Sequence, residues 1–129
     1  MKKGFTLLEL LIVIIIVGVL ATLALPNFLR GVERARWAEA KNILGALRGS
    51  QIRYRAQHEV FSTALNDLDV NLTGGTTGKF FDFSAADDPN NPTYIARATR
   101  NSGDYNGQTI SINQDGNFTY SAGVPAWLQ

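Results

Sequence analysis

The sequence predicts an α+β fold in which one long N-terminal helix packs against a small C-terminal antiparallel β-sheet. Three observations predict this class. A strongly apolar segment occupies the first quarter of the 129-residue chain, an amphipathic helical pattern follows it, and short alternating segments fill the second half. We therefore divide the chain into an apolar helix at residues 5–29 and a globular domain at residues 30–129, with residues 1–4 ahead of the helix.

Composition excludes several kinds of functional site. The chain has no Cys, so it cannot form a disulfide or a thiolate metal centre. Its one His excludes metal sites built on a pair of histidines and argues against a hydrolase of the Ser-His type. We therefore expect a protein that is not an enzyme, with no cofactor and no bound metal.

The apolar segment is long enough to cross a membrane. Phe5 to Leu25 contains 21 residues, and from Leu10 onward its only non-aliphatic members are Gly18 and Thr22. Two lysines precede it, which by the positive-inside rule places the N-terminus in the cytoplasm. The segment can be a cleaved secretory signal, a permanent anchor, or a helix that passes from the membrane into a protein assembly.

Glu9 favours the third interpretation. A carboxylate inside an apolar helix costs about 2.5–3.5 kcal/mol on membrane-insertion scales, so it normally has a partner and a function. A disposable signal or a simple anchor has no use for such a charge.

The residues around Glu9 resemble a known processing site. The ten residues from Lys2 to Leu11, KKGFTLLELL, are similar to the leader junction of type IV prepilins and type II secretion pseudopilins. This resemblance implies that residues 1–4 are a leader peptide, that prepilin peptidase cleaves after Gly4, and that the new N-terminus at Phe5 is methylated. It also implies that Glu9 forms an assembly salt bridge with the Phe5 amine of a neighbouring subunit.

Gly18 and Pro26 predict a break in the apolar helix. Pro26 has no N–H and its ring clashes with the carbonyl group of Thr22, which kinks or loosens a helix. Gly18 lowers helix stability by about 1 kcal/mol relative to Ala. The resemblance further implies that the segment between these two residues unwinds in an assembled filament.

An amphipathic helix is predicted from residue 27 to about residue 56, within a helical part of the globular domain at residues 30–58. Residues recur along it at alternating spacings of three and four, which defines one buried face: Trp37, Ala40, Leu44, Leu47, Gln51 and Tyr54. Gly45 and Gly49 interrupt the pattern and destabilise an isolated helix, which makes sense if another element packs closely against them.

A connector at residues 59–78 precedes a β-sheet region at residues 79–129. The connector is expected to contain a helical turn near residues 63–68 and a loop at residues 72–78. Strands are predicted at Lys79–Ser84, Tyr94–Arg100, Thr109–Asn113 and Asn117–Ser121.

The buried face of the helix and the apolar face of the sheet together predict the core of the globular domain. Because the chain has no disulfide, packing alone must hold the C-terminal region. The predicted core residues are Trp37, Leu44, Leu47, Tyr54, Ile110, Ile112, Phe118 and Tyr120.

The net charge of +1 hides two opposed regions. Residues 30–58 carry a net charge of +5 and residues 59–129 a net charge of −5, which favours complementary packing within the domain or between subunits. The alternative is a weak nucleic-acid site through Arg48 and Arg55, although nucleic acid is not the expected partner.

Acidic residues in the second half raise a further alternative, a calcium site. Asp87, Asp88 and Asp104 lie in predicted loops, but none matches a calcium-binding motif. We therefore predict solvated acidic loops.

Together these features predict a structural subunit of a type IV pilus. Its implied partners are identical subunits, prepilin peptidase and an inner-membrane assembly platform. Its implied location is the inner membrane before assembly, as a single-pass protein, and the extracellular pilus afterwards. The alternatives are a type II secretion pseudopilin and, more distantly, a minor pilin acting as an adhesin or a DNA-binding module.

Overall fold

The computed structural model describes residues 3–72 and 78–129. Met1 and Lys2 of the predicted leader, and most of the predicted loop at residues 72–78, lie outside the described residues. The chain separates into two compact units, Met1–Ala35 and Arg36–Gln129. We call the second unit the lobe.

A single helix, α1, spans Leu7–His58, a length of 52 residues. The aliphatic run and the amphipathic pattern are both helical in period, so they join without a loop. α1 continues as one helix through Gly18 and Pro26, and the kink or loosening expected at these residues stays a prediction. Proline removes one hydrogen bond of the helical ladder, and the aliphatic residues around it retain the others. Unwinding of this segment in a filament stays a prediction.

The end of α1 is set by a residue in the left-handed conformation. Glu59 has a φ of +64°, and its N–H donates to the Arg55 carbonyl at 2.8 Å. A left-handed residue after the last turn is a common way to end a helix. α1 therefore ends at His58, two residues beyond the amphipathic pattern and at the limit given for the helical part of the domain at residues 30–58.

The second half of the chain forms the predicted antiparallel sheet. Its strands are β1 at Phe81–Ser84, β2 at Ala96–Arg100, β3 at Thr109–Ile112 and β4 at Phe118–Tyr120, joined in the order β1-β2-β3-β4. Short 3₁₀ turns occur at Leu65–Asp67 and Ala126–Leu128. The α+β class predicted from the sequence is confirmed.

Three strands begin later than the sequence pattern indicated: β1 and β2 by two residues and β4 by one. The predicted strand started at Tyr94, whereas β2 starts at Ala96. The Asp87 carboxylate accepts hydrogen bonds from the backbone N–H groups of Thr93 and Tyr94, at 2.9 and 3.3 Å. Those groups are therefore unavailable to the sheet.

The lobe core lies where the Arg36–His58 part of α1 meets the sheet. Trp37, Leu44 and Leu47 from α1 are fully buried and belong to one apolar cluster with Ile110 and Ile112 from β3. Small alanines at positions 96 and 98 of β2 are also fully buried, which leaves room for the larger side chains of the helix.

Three predicted core residues are less buried than expected. Tyr54 and Tyr120 are half-buried at the margin of the cluster, and Phe118 is 37% exposed. Phe118 pairs with Ile112, but it lies on β4, a three-residue strand at the edge of the sheet. An edge strand has a neighbour on one side only, so Phe118 is a correction to the predicted core.

Candidate functional site

The N-terminal turn of α1 is closed by a side-chain cap. The Thr6 hydroxyl oxygen accepts the Glu9 backbone N–H at 3.1 Å, and the Thr6 carbonyl accepts the Leu10 N–H at 3.2 Å. Thr6 and Glu9 occupy the first and last positions of a T-x-x-E capping pattern. The sequence prediction did not include this role of Thr6, although the T-x-x-E pattern is the signal that identifies it.

Gly4 and Phe5 lie ahead of this cap and are exposed. The Phe5 side chain is 86% exposed, and a Cβ added to Gly4 would meet no other atom within 4 Å. The bond between them is therefore open to an enzyme, and the absence of a side chain at position 4 does not serve packing within the chain. Cleavage and methylation here stay predictions.

Glu9 lies in the first turn of α1, where the helix dipole favours a negative charge. Around it the side chains of the apolar segment are exposed. Among the residues that the structure describes, no cation forms an ion pair with Glu9.

The Leu7–Leu29 part of α1 presents its apolar side chains outward. Its large aliphatic and aromatic residues are each about half exposed or more, with exposed fractions from 49% to 88%. An 18-residue window of this helix has the length and hydropathy of a membrane span, and none of that window is buried. A core helix of a soluble protein would be mostly buried, so this segment needs lipid or other chains to cover it.

Arg48 and Arg55, the two residues of the nucleic-acid alternative, form hydrogen bonds to a turn of the lobe. Arg48 Nε donates to the Gln114 carbonyl at 3.0 Å, and Arg55 Nη1 donates to Gln114 Oε1 at 3.1 Å. The Arg48 guanidinium also packs against Gly116, whose φ is +92°. Both arginines thus fix the turn between β3 and β4, which is a structural role.

Gln51 is a buried polar residue whose side-chain nitrogen and oxygen both form hydrogen bonds. Its Nε2 donates to the carbonyls of Ser62 at 2.7 Å and Ile95 at 3.0 Å, and its Oε1 accepts the Ser62 N–H at 2.9 Å. One side chain therefore connects α1, the connector and the start of β2. The sequence pattern placed Gln51 on the buried face but gave no sign of these partners.

Asp69 ties the connector to α1 at the surface. Arg53 donates to both of its carboxylate oxygens, at 2.7 and 2.8 Å, and the Ser50 hydroxyl donates to Oδ1. These hydrogen bonds, that from Arg53 foremost, lower the pKa of Asp69 to about 2.

The acidic loop between β1 and β2 satisfies its own carboxylates. Asp88 accepts the N–H groups of Asn90 and Asn91, both at 2.8 Å, while Asp87 accepts those of Thr93 and Tyr94. Slight burial of the Asp87 carboxyl opposes ionisation, but these backbone hydrogen bonds outweigh it and lower its pKa. In residues 3–72 and 78–129, no three His, Asp or Glu side chains gather as metal ligands do.

The N-terminal segment matches a known protein family. Residues 1–25 match the family described as the prokaryotic N-terminal methylation motif. The chain is 30% identical to fimbrial protein EcpC of Eikenella corrodens, over 92% of this chain and 80% of that protein. This match covers the lobe as well as the apolar helix.

Two further relatives match over about half of the chain. The chain is 39% identical to the type IV major pilin protein PilA of Myxococcus xanthus, over 52% of this chain and 30% of that protein. It is 39% identical to the type II secretion system core protein G of Klebsiella pneumoniae, over 52% of this chain and 48% of that protein. The aligned part thus spans less than half of the length of each of these two relatives.

Proposed function

Since this chain belongs to the family of type IV pilins and type II secretion pseudopilins, we propose that it is a structural subunit of a type IV pilus. Members of this family are structural filament subunits rather than enzymes. The observation that carries the proposal is the match to a fimbrial protein over most of both chains, helix and lobe together.

The N-terminal geometry supports processing at the bond between Gly4 and Phe5. Both residues are exposed ahead of the Thr6 cap, and they lie within the matched methylation motif. In the proposed sequence of events, the chain first resides in the inner membrane with its N-terminus in the cytoplasm. Prepilin peptidase then removes residues 1–4, and the inner-membrane assembly platform adds the methylated chain to an extracellular filament.

Polymerisation occurs through the apolar part of α1 in this proposal. A filament of identical subunits covers the side chains that the single chain exposes. The Phe5 amine of a neighbouring subunit supplies a counter-charge to Glu9, for which residues 3–72 and 78–129 of its own chain show no ion-pair partner. Removing one partner of a buried charge pair leaves the other unpaired, which is strongly destabilising.

A substitution of Glu9 tests this pairing. We expect Glu9→Ala to insert in the membrane normally, because insertion depends on the aliphatic residues, and to be absent from filaments. Immunoblots of membrane and sheared-filament fractions measure the two pools, and Glu39→Ala, which removes an exposed carboxylate from the lobe, is the matched control. Normal amounts of Glu9→Ala in filaments would contradict the proposed pairing.

The second candidate is a type II secretion pseudopilin. It is favoured by the match to core protein G, which is as identical to this chain as the Myxococcus pilin over the same number of residues. A deletion strain separates the two candidates. Loss of surface filaments with normal release of secreted proteins supports the pilin, whereas blocked release of secreted proteins supports the pseudopilin.

A further inference from the structure

Three residues spaced four apart alter one hydrogen-bonded row of α1. They are Gly18, Thr22 and Pro26, and all lie within the apolar part of the helix. In an α-helix the N–H of each residue donates to the carbonyl four residues earlier. Successive bonds of this row therefore run from Thr22 to Gly18 and from residue 26 to Thr22.

The second of these bonds is missing, because Pro26 has no N–H to give to the Thr22 carbonyl. The first is shared. The Thr22 hydroxyl donates to the Gly18 carbonyl oxygen at 2.8 Å, so this oxygen faces two donors from the same residue. A hydroxyl that bonds back to the carbonyl four residues earlier weakens a helix slightly and often bends it.

We propose that the Thr22 hydroxyl is a positioning group that sets where α1 bends and lengthens when the subunit passes from membrane to filament. The inference rests on the proposed function for its purpose, but its physical basis lies within one chain. When the Thr22 N–H moves away from Gly18, the hydroxyl keeps the Gly18 carbonyl hydrogen-bonded. If the helix opens at this row, the Gly18 carbonyl therefore keeps a hydrogen-bond partner that it would lose without the Thr22 hydroxyl.

The apolar surroundings make it important that the hydroxyl can replace the N–H as the donor to the Gly18 carbonyl. In lipid or in a packed bundle of aliphatic helices, water is not present to satisfy a free carbonyl, and each unsatisfied group is costly. Between Leu10 and Leu25 the only non-aliphatic residues are Gly18 and Thr22, and glycine has no side chain to donate. Thr22 is thus the one side chain of that run that can satisfy a backbone carbonyl.

Gly18 adds backbone freedom at the same place. A Cβ added to Gly18 would meet no other atom within 4 Å, so no close contact within the chain requires glycine there. Its effect is to lower the cost of leaving the helical conformation. Nine consecutive residues therefore contain a flexible backbone at Gly18, a second hydrogen-bond donor at Thr22 and a missing donor at Pro26.

Hydrogen–deuterium exchange of the full chain in detergent micelles tests the role of Thr22. Thr22→Val keeps the branched shape but removes the hydroxyl, and we expect it to slow amide exchange in the peptide covering residues 19–26 by roughly 2–5-fold. Thr22→Ser keeps the hydroxyl and should exchange as the unmodified chain does. A general loss of helix stability would not distinguish the two variants in this way.

A transferred hydroxyl provides the matched control. The double variant Thr22→Val with Val19→Thr moves the hydroxyl to the neighbouring hydrogen-bonded row. In that row residue 23 keeps its N–H, so no bond is missing. We therefore expect amide exchange as slow as in Thr22→Val alone. Equal exchange rates in Thr22→Val and the unmodified chain would overturn the inference. Because micelles contain no filament, failure of the chain to assemble in cells would contradict the proposed function and leave this comparison unaffected.

Discussion

At the scale of single residues, the lobe depends on a few polar side chains that bridge elements distant in sequence. Gln51 is the clearest example, because its amide contacts the backbone at two places, 11 and 44 residues further along the chain. Apolar side chains at neighbouring positions of α1 fill space, whereas Gln51 fixes the position of the connector relative to the helix and β2.

Replacing Gln51 with Leu should destabilise the lobe by about 2–4 kcal/mol, because the buried Ser62 N–H and Ile95 carbonyl lose their hydrogen-bond partner. Denaturant unfolding of the full chain in detergent, followed by the fluorescence of Trp37 and Trp127, measures the change. The exposed Gln57→Leu is the control and should be close to neutral. A Gln51→Leu variant as stable as that control would contradict the assigned role.

Asp69 predicts a dependence of lobe stability on pH. Its pKa is about 2 in the folded chain, against an ordinary value near 3.8, so its ionised form favours the folded state. This contribution is complete above about pH 4 and is lost as the pH falls through 2. Asp69→Asn should flatten the change in unfolding midpoint between those limits, and the exposed Asp104→Asn should not. An identical pH profile in Asp69→Asn would exclude the ion pair with Arg53 as its cause.

At the scale of elements, the Arg36–His58 part of α1 contains two glycines that no close contact among the described residues requires. A Cβ at Gly45 would meet nothing within 4 Å, and one at Gly49 would meet only the end of the Arg53 side chain, at 3.5 Å. The close packing that the sequence suggested at these positions is not made within the described chain.

Alanine at these positions should stabilise the lobe. Gly45→Ala and Gly49→Ala each raise the free energy of unfolding by about 1 kcal/mol, because alanine loses less backbone entropy in a helix. Gly116→Ala is the contrasting variant. Its φ of +92° and the Arg48 guanidinium 3.4 Å from the added Cβ should make it destabilising. Chemical denaturation of the three variants measures these changes, and destabilisation by Gly45→Ala would contradict the helix analysis.

The elements themselves were largely predictable from periodicity, and their limits were not. The long helix and four strands follow from patterns of period 3.6 and 2, which depend on nearby residues. The late start of β2 depends on the Asp87 carboxylate, and the exposure of Phe118 depends on the place of β4 at the sheet edge. Both are consequences of tertiary contacts that a local pattern does not contain.

At the scale of the whole molecule, the two compact units bury apolar surface in different ways. The lobe forms its own core from α1 and the sheet, whereas the apolar side chains of Leu7–Leu29 are exposed. The sequence predicted the apolar first unit well, because aliphatic length and the position of Glu9 are local features. The Thr6 cap was predictable from the T-x-x-E pattern but was missed, whereas the Thr22 hydrogen bond depends on the rotamer of one hydroxyl.

The central claim is that this chain is a processed subunit of a surface filament, and mass spectrometry of sheared surface filaments tests it most directly. The account predicts an abundant chain that begins at an N-methylated Phe5 and lacks residues 1–4. Filaments that lack this chain, or that contain it with residues 1–4 still attached, would contradict the account.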